Sequence, residues 1–492
     1  MSSAPGGLDR GSVGTTAMSF FTISASAPMT VIAGAVVATY AVTGVPGVPL
    51  SFLVLMVALW PFTVGYTAMS RYVSHAGVFY AFIARGLGRV AGVAAGLVAL
   101  LAYNAIQICL YGLLGASLAG FLPAAKLPWW GWALIVWAVV GILGILHINI
   151  NARVLAVLLT LEIFMILLFD AGAFTHPAGG HLNLAGLAPN NLFVSGIGGV
   201  LAFGIASFVG YESAPAYSEE AKGTGPVTRS TFGALFFLGL LYAFSSLALS
   251  VAEGPRGVID AARDPASGIP FSILGKLYGT PVATLGNLLL ITSIVGAMIS
   301  FHNTVARYIF SLGRERILPG VLGHIGSGSA AGAPIGGSIV QSVLAVCVFG
   351  GFALGGLDPV TTLFTWLSAV AAIGVGVLMI GTALAVIGYF RRTPEAAAQE
   401  SGWHRAGAPA LGAITLSVVV GITVYNVDSI LGTASNSPLV FALPGMVAAV
   451  AAVGVIWALV LRASRPLVYH GIGEGQLRPL EVLSPAFADL EI

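Results

Sequence analysis

Apolar stretches long enough to cross a bilayer recur twelve times along the chain, over about 17–43, 48–69, 90–121, 129–148, 153–173, 195–218, 231–253, 281–306, 335–356, 360–390, 409–431 and 438–462. A helix needs about 20 such residues to span the hydrocarbon core. The segments between them are short and leave no room for a separate soluble domain. The pattern predicts an all-α polytopic membrane protein with twelve transmembrane helices. Residues 74–89 depart from it: they are aromatic with basic punctuation, too short to span, and predict an amphipathic helix on the membrane interface. The Gly/Ser/Ala-rich stretch 326–334 predicts a flexible linker between spans 8 and 9. Residues 1–16 form a polar tail, and the apolar run after them is too long for a cleaved signal peptide. Residues 464–492 form a second tail, to which no chemistry is assigned.

Two spans carry interruptions. Span 1 contains Phe21-Thr-Ile-Ser24-Ala25-Ser26-Ala27-Pro28, and span 6 contains Phe208-Val-Gly210-Tyr211-Glu212-Ser213-Ala214-Pro215. Each has Phe, four residues, then Ser-Ala-Pro. Serine competes for the helical hydrogen-bond ladder and proline lacks the amide donor, so both segments favour a broken helix. Inside lipid, a break survives only where protein or a water-filled cavity satisfies the freed backbone groups. Interrupted spans at corresponding places of two halves point to a binding site, although a kink that only packs is an even alternative.

Intramembrane acids come next. Glu162 lies nine residues beyond Arg153, ~13 Å into the membrane at helical rise. A carboxylate there costs about 2.5–3.5 kcal/mol on insertion scales, so it must face the bundle interior, protonated or paired. It is a candidate proton-coupling group, against the simpler role of a structural hydrogen bond. Glu212, inside the second break, is suited to hold an ammonium group, to bind a proton, or to cap the resumed helix. Asp170 is expected near the interface, and Glu219 and Glu220 are expected to pair with Lys222 or Arg229. Asn104 and Gln107 share one face of span 3, and Asn104 joins the candidate substrate contacts. Polar groups of spans 8 and 10, among them His302 and Thr365, are individually as well explained by helix–helix contact.

Composition narrows the function classes. The 492 residues are 57% hydrophobic and only 8% charged, against about 25% in soluble proteins. With a formal net charge of +2 and no basic cluster beyond Arg391-Arg392, the chain has no footprint for nucleic acid. Cys109 and Cys347 lie in apolar runs and build neither a disulfide framework nor a zinc site. His176 and His181 lack the spacing of a helical metal pair, so no metal is expected. Gly275-Lys276 is followed by Leu277, which excludes a Walker-type phosphate loop, and Gly196-x-Gly198-Gly199 opens a membrane span. No acid–histidine or metal constellation falls within one span, so neither an enzyme, a catalytic residue nor a cofactor is expected. Of the 20 Lys and Arg, only Lys126, Arg256, Arg263 and Lys276 follow odd-numbered spans. That bias places both termini in the cytoplasm.

Three further stretches carry a resemblance. They are Ala76-Gly77-Val-Phe-Tyr80 with Gly86-x-Gly88; Phe208-x-Gly210-Tyr211-Glu212 running to Ser218-Glu219-Glu220; and Asn303-x-x-Ala306-Arg307-Tyr308 running to Gly313-Arg314-Glu315-Arg316-Ile-Leu-Pro319. In order and spacing they resemble the amino acid-polyamine-organocation (APC) permease family over about 17–463. The resemblance implies a five-plus-five inverted repeat, 17–173 and 195–390, with two further helices over 409–463. It implies a substrate held at the broken spans 1 and 6, with Ser24, Ala25, Ser26 and Ala27 supplying amides to a carboxylate. Phe208, Gly210, Tyr211 and Glu212 would supply carbonyls and a lid. Family members usually carry a Gly-Ser-Gly-like pattern where this chain has Ser24-Ala25-Ser26-Ala27. Some proton-coupled relatives place a lysine in span 5, where this chain has Glu162.

The implied activity is secondary transport of an amino acid or small organic amine across the plasma membrane, by alternating access and with a proton as coupling ion. A bacterial membrane fits the excess of arginine over lysine. Sodium symport, polyamine or amino acid exchange, and a transporter-like sensor or channel are the alternatives. The expected partners are the small-molecule substrate and the lipid bilayer.

Overall fold

The computed structural model describes residues 11–145, 148–264, 267–326 and 332–475, with the side chains of 148–152 left aside. Arg10, Arg478, most of the C-terminal tail and the centre of the 326–334 linker lie outside the described residues.

Among the described residues, eleven helices are long and apolar enough to cross a membrane. They are span 1 (Thr15–Thr43), span 2 (Val48–Ser70), span 3 (Arg89–Phe121), span 5 (Arg153–Thr175), span 6 (Ile197–Glu220), span 7 (Gly225–Glu253), span 8 (Thr280–Arg314), span 9 (Ile335–Leu354), span 10 (Pro359–Arg392), span 11 (Trp403–Tyr425) and span 12 (Pro438–Ser464). The expected fourth span is the 16-residue helix Trp129–Gly144. At helical rise it covers about 24 Å, short of the ~30 Å hydrocarbon core. It keeps the name helix 4.

Four of the five corresponding pairs in the two sets of five pack on each other. Span 2 lies on span 7, span 3 on span 8, helix 4 on span 9, and span 1 on span 6 at its break. Contact between equivalent helices is what a pseudo-twofold axis in the membrane plane produces. Spans 5, 7 and 8 close around span 1, and span 10 fills the groove between span 3 and span 11. Span 12 packs on spans 3 and 10 and turns most of its side chains, Phe441 and Ile456 among them, outward.

One expectation is corrected here. The segment after span 2 is not an exposed surface helix. Its helix, Val78–Leu87, is buried from Val78 to Ala84, wedged between spans 3 and 10. Gly86 has no side chain because the Ala385 carbonyl of span 10 occupies that space. The described start of the chain after span 12 packs back on the protein. Pro466–His470 forms a short helix, and the turn beyond it docks onto Glu315, whose carboxylate accepts the Gly473 and Gly475 amides, each at 2.8 Å.

The segments that follow even-numbered spans gather on one face. Val13 pairs with the end of span 6, its amide donating to the Glu220 carbonyl at 2.9 Å and its carbonyl accepting from Lys222 at 2.9 Å. Arg71, after span 2, meets Glu400, before span 11, at 2.8 Å. Arg85 donates to the Gly473 carbonyl at 2.9 Å. This arginine-rich face thus carries both described ends of the chain.

Candidate functional site

Span 1 breaks near its middle. The first helix ends at Ala25, Ala27 adopts a left-handed backbone (φ 43°, ψ 67°), and Pro28 opens the resumed helix. Proline suits that position, since the first amides of a helix have no internal partner. Span 6 breaks at its own middle. Ile197–Phe208 is followed by an extended Val209 (φ −57°, ψ 126°), Gly210 at φ 113°, and a 3-10 helix Tyr211–Glu220. The breaks touch: a Cβ on Gly210 would lie 2.9 Å from the Ala25 carbonyl carbon and 3.0 Å from the Ser26 nitrogen. Glycine serves here both for its backbone angle and for the missing side chain.

Neighbouring helices satisfy most of the freed backbone groups. The Tyr242 hydroxyl of span 7 donates to the Ser26 carbonyl at 3.1 Å, and the Tyr66 hydroxyl of span 2 donates to the Glu212 carbonyl at 2.9 Å. The Met29 amide donates to the Glu162 carboxylate, which also accepts the Ser293 hydroxyl of span 8 at 2.8 Å. Glu212 accepts the Gly210 amide at 2.9 Å on one oxygen and the Tyr103 hydroxyl of span 3 at 2.8 Å on the other. Both acids therefore accept backbone amides at the broken helix ends. The Ser26 and Ala27 amides bond back to the Ile23 and Ser24 carbonyls, each at 3.1 Å.

Ser24, Ala25, Ser26, Ala27, Phe208, Gly210, Tyr211 and Glu212 are all buried around this crossing. Among the buried polar atoms left without a partner, three belong to this region. The Ser26 and Ser213 hydroxyls, one on each break, are buried without a hydrogen-bond partner. Asn104 donates to the Leu100 carbonyl at 2.6 Å and leaves its own carbonyl oxygen buried and unpartnered. A narrow cavity opens beside the second break, walled by Phe208, Tyr211 and Glu212 on span 6 and by Ala372, Val375 and Met379 on span 10.

Tyr66, Tyr103 and Tyr242 were missing from the sequence-derived site. The available signal was a tyrosine hydroxyl deep within an apolar span, which has to find a partner. Two placements are corrected. Asp170 is buried rather than interfacial, and its carboxylate accepts the Ser245 hydroxyl of span 7 at 2.9 Å. Glu219 and Glu220 pair across to span 8, not with Lys222 or Arg229. Glu219 takes two bonds from Arg314 at 2.7 and 2.8 Å, and Glu220 takes two from Arg307 at 2.8 and 3.0 Å.

These pairs close the arginine-rich end of the site. Glu219 also accepts the Ala76 amide at 2.9 Å, and Ser218 accepts the His75 amide at 3.1 Å. One residue past span 8, Glu315 is held by Tyr80 and by His75 at 2.7 Å. Burial disfavours its charge, but the bond and field of His75, with the Tyr80 and Gly473 donors, outweigh that and hold the carboxyl below the ordinary glutamate range.

The sequence pattern of a family described as amino acid permease matches residues 13–461. No curated protein sequence matches the chain. Among solved structures, the chain is similar to a manganese transporter of Eremococcus coleocola crystallised with an aromatic bis-isothiourea substituted compound. The two are 13% identical with a TM-score of 0.56, over 91% of this chain and 94% of that one. At that identity the likeness concerns the fold.

Proposed function

The chain belongs to the amino acid permease family, and on that premise we propose that it moves an amino acid or small organic amine across the plasma membrane by alternating access, coupled to a proton. Family and fold make it a secondary transporter embedded in the membrane by many apolar helices. The substrate and the coupling ion are the proposal.

One observation carries it. Two broken helices meet, and each presents a buried serine hydroxyl, Ser26 and Ser213, that has no partner within the protein. A buried polar group left unmade is costly, and a substrate with polar ends would relieve both. Ser24, Ala25, Ser26 and Ala27 would face its carboxylate end. Glu212, with Phe208, Gly210 and Tyr211 around it, would face its amine, and Asn104 would offer a further acceptor from span 3. Glu162 bridges span 1, span 5 and span 8, so a proton gained or lost there acts on the first break through Met29. Glu212 would do the same for the second. The arginine-rich face is then cytoplasmic.

Uptake of a radiolabelled panel of amino acids and amines into proteoliposomes, with and without an inward proton gradient, tests this reading. Accumulation that needs the gradient and ignores sodium is the expected result, and Glu162→Gln should abolish its pH dependence. Counterflow indifferent to the gradient would make the protein an exchanger and leave Glu162 a structural cap.

A further inference from the structure

Asp170 is the intramembrane acid that the candidate site leaves unused. It lies on span 5, five residues before the helix ends at Thr175, and is 1% exposed. One carboxyl oxygen accepts the Ser245 hydroxyl at 2.9 Å, and the other is buried with no partner. Among the described residues, no counter-charge pairs with it from the helices packed on span 5. Span 1 contains no acidic or basic residue, and span 7 has only Arg229 and Glu253, near its two ends. Span 8 carries His302, Arg307 and Arg314 toward the arginine-rich face. The helix Phe271–Tyr278 contributes an exposed Lys276, and its Tyr278 hydroxyl contacts the Leu168 carbonyl at 3.5 Å. A carboxyl kept in a membrane span without a counter-charge marks a functional position, proton relays among the roles such acids serve.

Its surroundings connect it to the breaks. Hydroxyls follow one face of span 7 from the first break outward. Tyr242 bonds the Ser26 carbonyl, Ser245 meets Asp170 about one turn on, and the Ser246 carbonyl accepts the Tyr40 hydroxyl of span 1 at 3.1 Å. On span 5, Glu162 precedes Asp170 by eight residues, ~12 Å along the axis and little more than two turns. Both acids turn inward, and spans 5 and 7 pack on each other.

We propose that Asp170 is a second proton-binding group in series with Glu162, and that the facing sides of spans 5 and 7 form the route from the face opposite the arginine-rich one to the breaks. In each cycle Asp170 takes one proton from the bulk and passes it, through hydroxyls and bridging water, to the Glu162 carboxylate, which releases it toward the arginine-rich face once the breaks open to that side. The carboxylate left at Asp170 is neutralised by the next bulk proton. The inference rests on the proton-coupled reading above.

Wild type, Asp170→Asn, Asp170→Glu and Glu162→Gln are compared in vesicles by substrate-driven proton movement, read with an entrapped pH dye, and by substrate counterflow. Wild-type protein that moves substrate without protons defeats the coupled reading itself. With coupling present, Asp170→Asn is expected to lose at least tenfold in proton flux while counterflow remains measurable, and Asp170→Glu should restore most of the flux. Wild-type flux in Asp170→Asn overturns the inference and leaves the coupled reading standing. Equal loss of flux and counterflow, unrescued by glutamate, also overturns it and marks a packing residue. Infrared spectroscopy gives a readout without transport. A D2O-sensitive carbonyl band of a protonated carboxyl should vanish in Asp170→Asn, and an unchanged spectrum is a second refutation.

Discussion

Gly210 combines a backbone that only glycine adopts readily with a contact that only glycine allows. Its φ of 113° disfavours any L side chain, and a Cβ there would press on Ala25 and Ser26. Gly210→Ala should therefore cost about 1–3 kcal/mol in strain and push the breaks apart. Uptake in proteoliposomes should fall at least tenfold, and wild-type uptake would show that the crossing tolerates a wider gap. Glu315 yields a pH prediction. Its folded carboxyl lies below the ordinary glutamate range, so the stabilisation it provides is complete above that range. It is lost as pH falls through the folded value. The thermal midpoint of detergent-solubilised protein should drop below about pH 4.3, the unperturbed glutamate value, and Glu315→Gln should flatten that part of the profile. The acids themselves were legible in the sequence, because a carboxyl within an apolar run is conspicuous. Their partners were not: Arg314 and Arg307 lie about ninety residues from Glu219 and Glu220, and no local pattern encodes a bond across that distance.

The helix Val78–Leu87 shows where periodicity misleads in a membrane protein. An amphipathic segment of ten residues suits the interface, but here the partner of its apolar face is protein. In a chain that is 57% hydrophobic, lipid-facing and core-facing surfaces share a composition, so a pattern reports apolarity without saying what meets it. Gly86 was the available clue. Gly388 of span 10 is likewise bare, because a Cβ on it would overlap the Gly86 carbonyl. Two helices so close have no slack, and Gly86→Val should destabilise by about 1–3 kcal/mol through overpacking. Gly120→Ala is the control, since nothing lies within 4 Å of its added carbon. A lowered thermal midpoint for the first and an unchanged one for the second is the expected pair; equal midpoints would show that this contact bears no load. The two breaks, by contrast, were found from sequence, because Ser-Ala-Pro after a phenylalanine interrupts a helix through backbone chemistry that needs no knowledge of the fold.

At the scale of the whole molecule, the second half of span 6 is clamped on the arginine-rich face. Arg314 and Arg307 hold it to span 8, Ala76 and His75 hold it to the segment after span 2, and Val13 is paired along its end. A movement of Tyr211–Glu220 away from span 8 that exposes the breaks to this face would have to open these bonds. The pairs are not equivalent. Arg307 and Glu220 are both buried, and removing either leaves an uncompensated charge that costs about 3–5 kcal/mol and endangers the fold. Glu219 and Arg314 are 15% and 14% exposed, so weakening that pair should shift a conformational balance rather than unfold the protein. Glu219→Gln keeps the size and some of the bonding and removes the charge. A loss of about 1–2 kcal/mol changes the ratio of two conformations by roughly 5–30-fold. The reporter is Ser26→Cys, placed at the buried break in a background where the exposed Cys347 is replaced by serine and the buried Cys109 is kept. Labelling by a membrane-impermeant maleimide from the arginine-rich side should be slow in that background and several-fold faster once Glu219→Gln is added. Equal rates would mean that the clamp does not control access, and that the breaks are reached from this face by a movement that leaves span 6 and span 8 together.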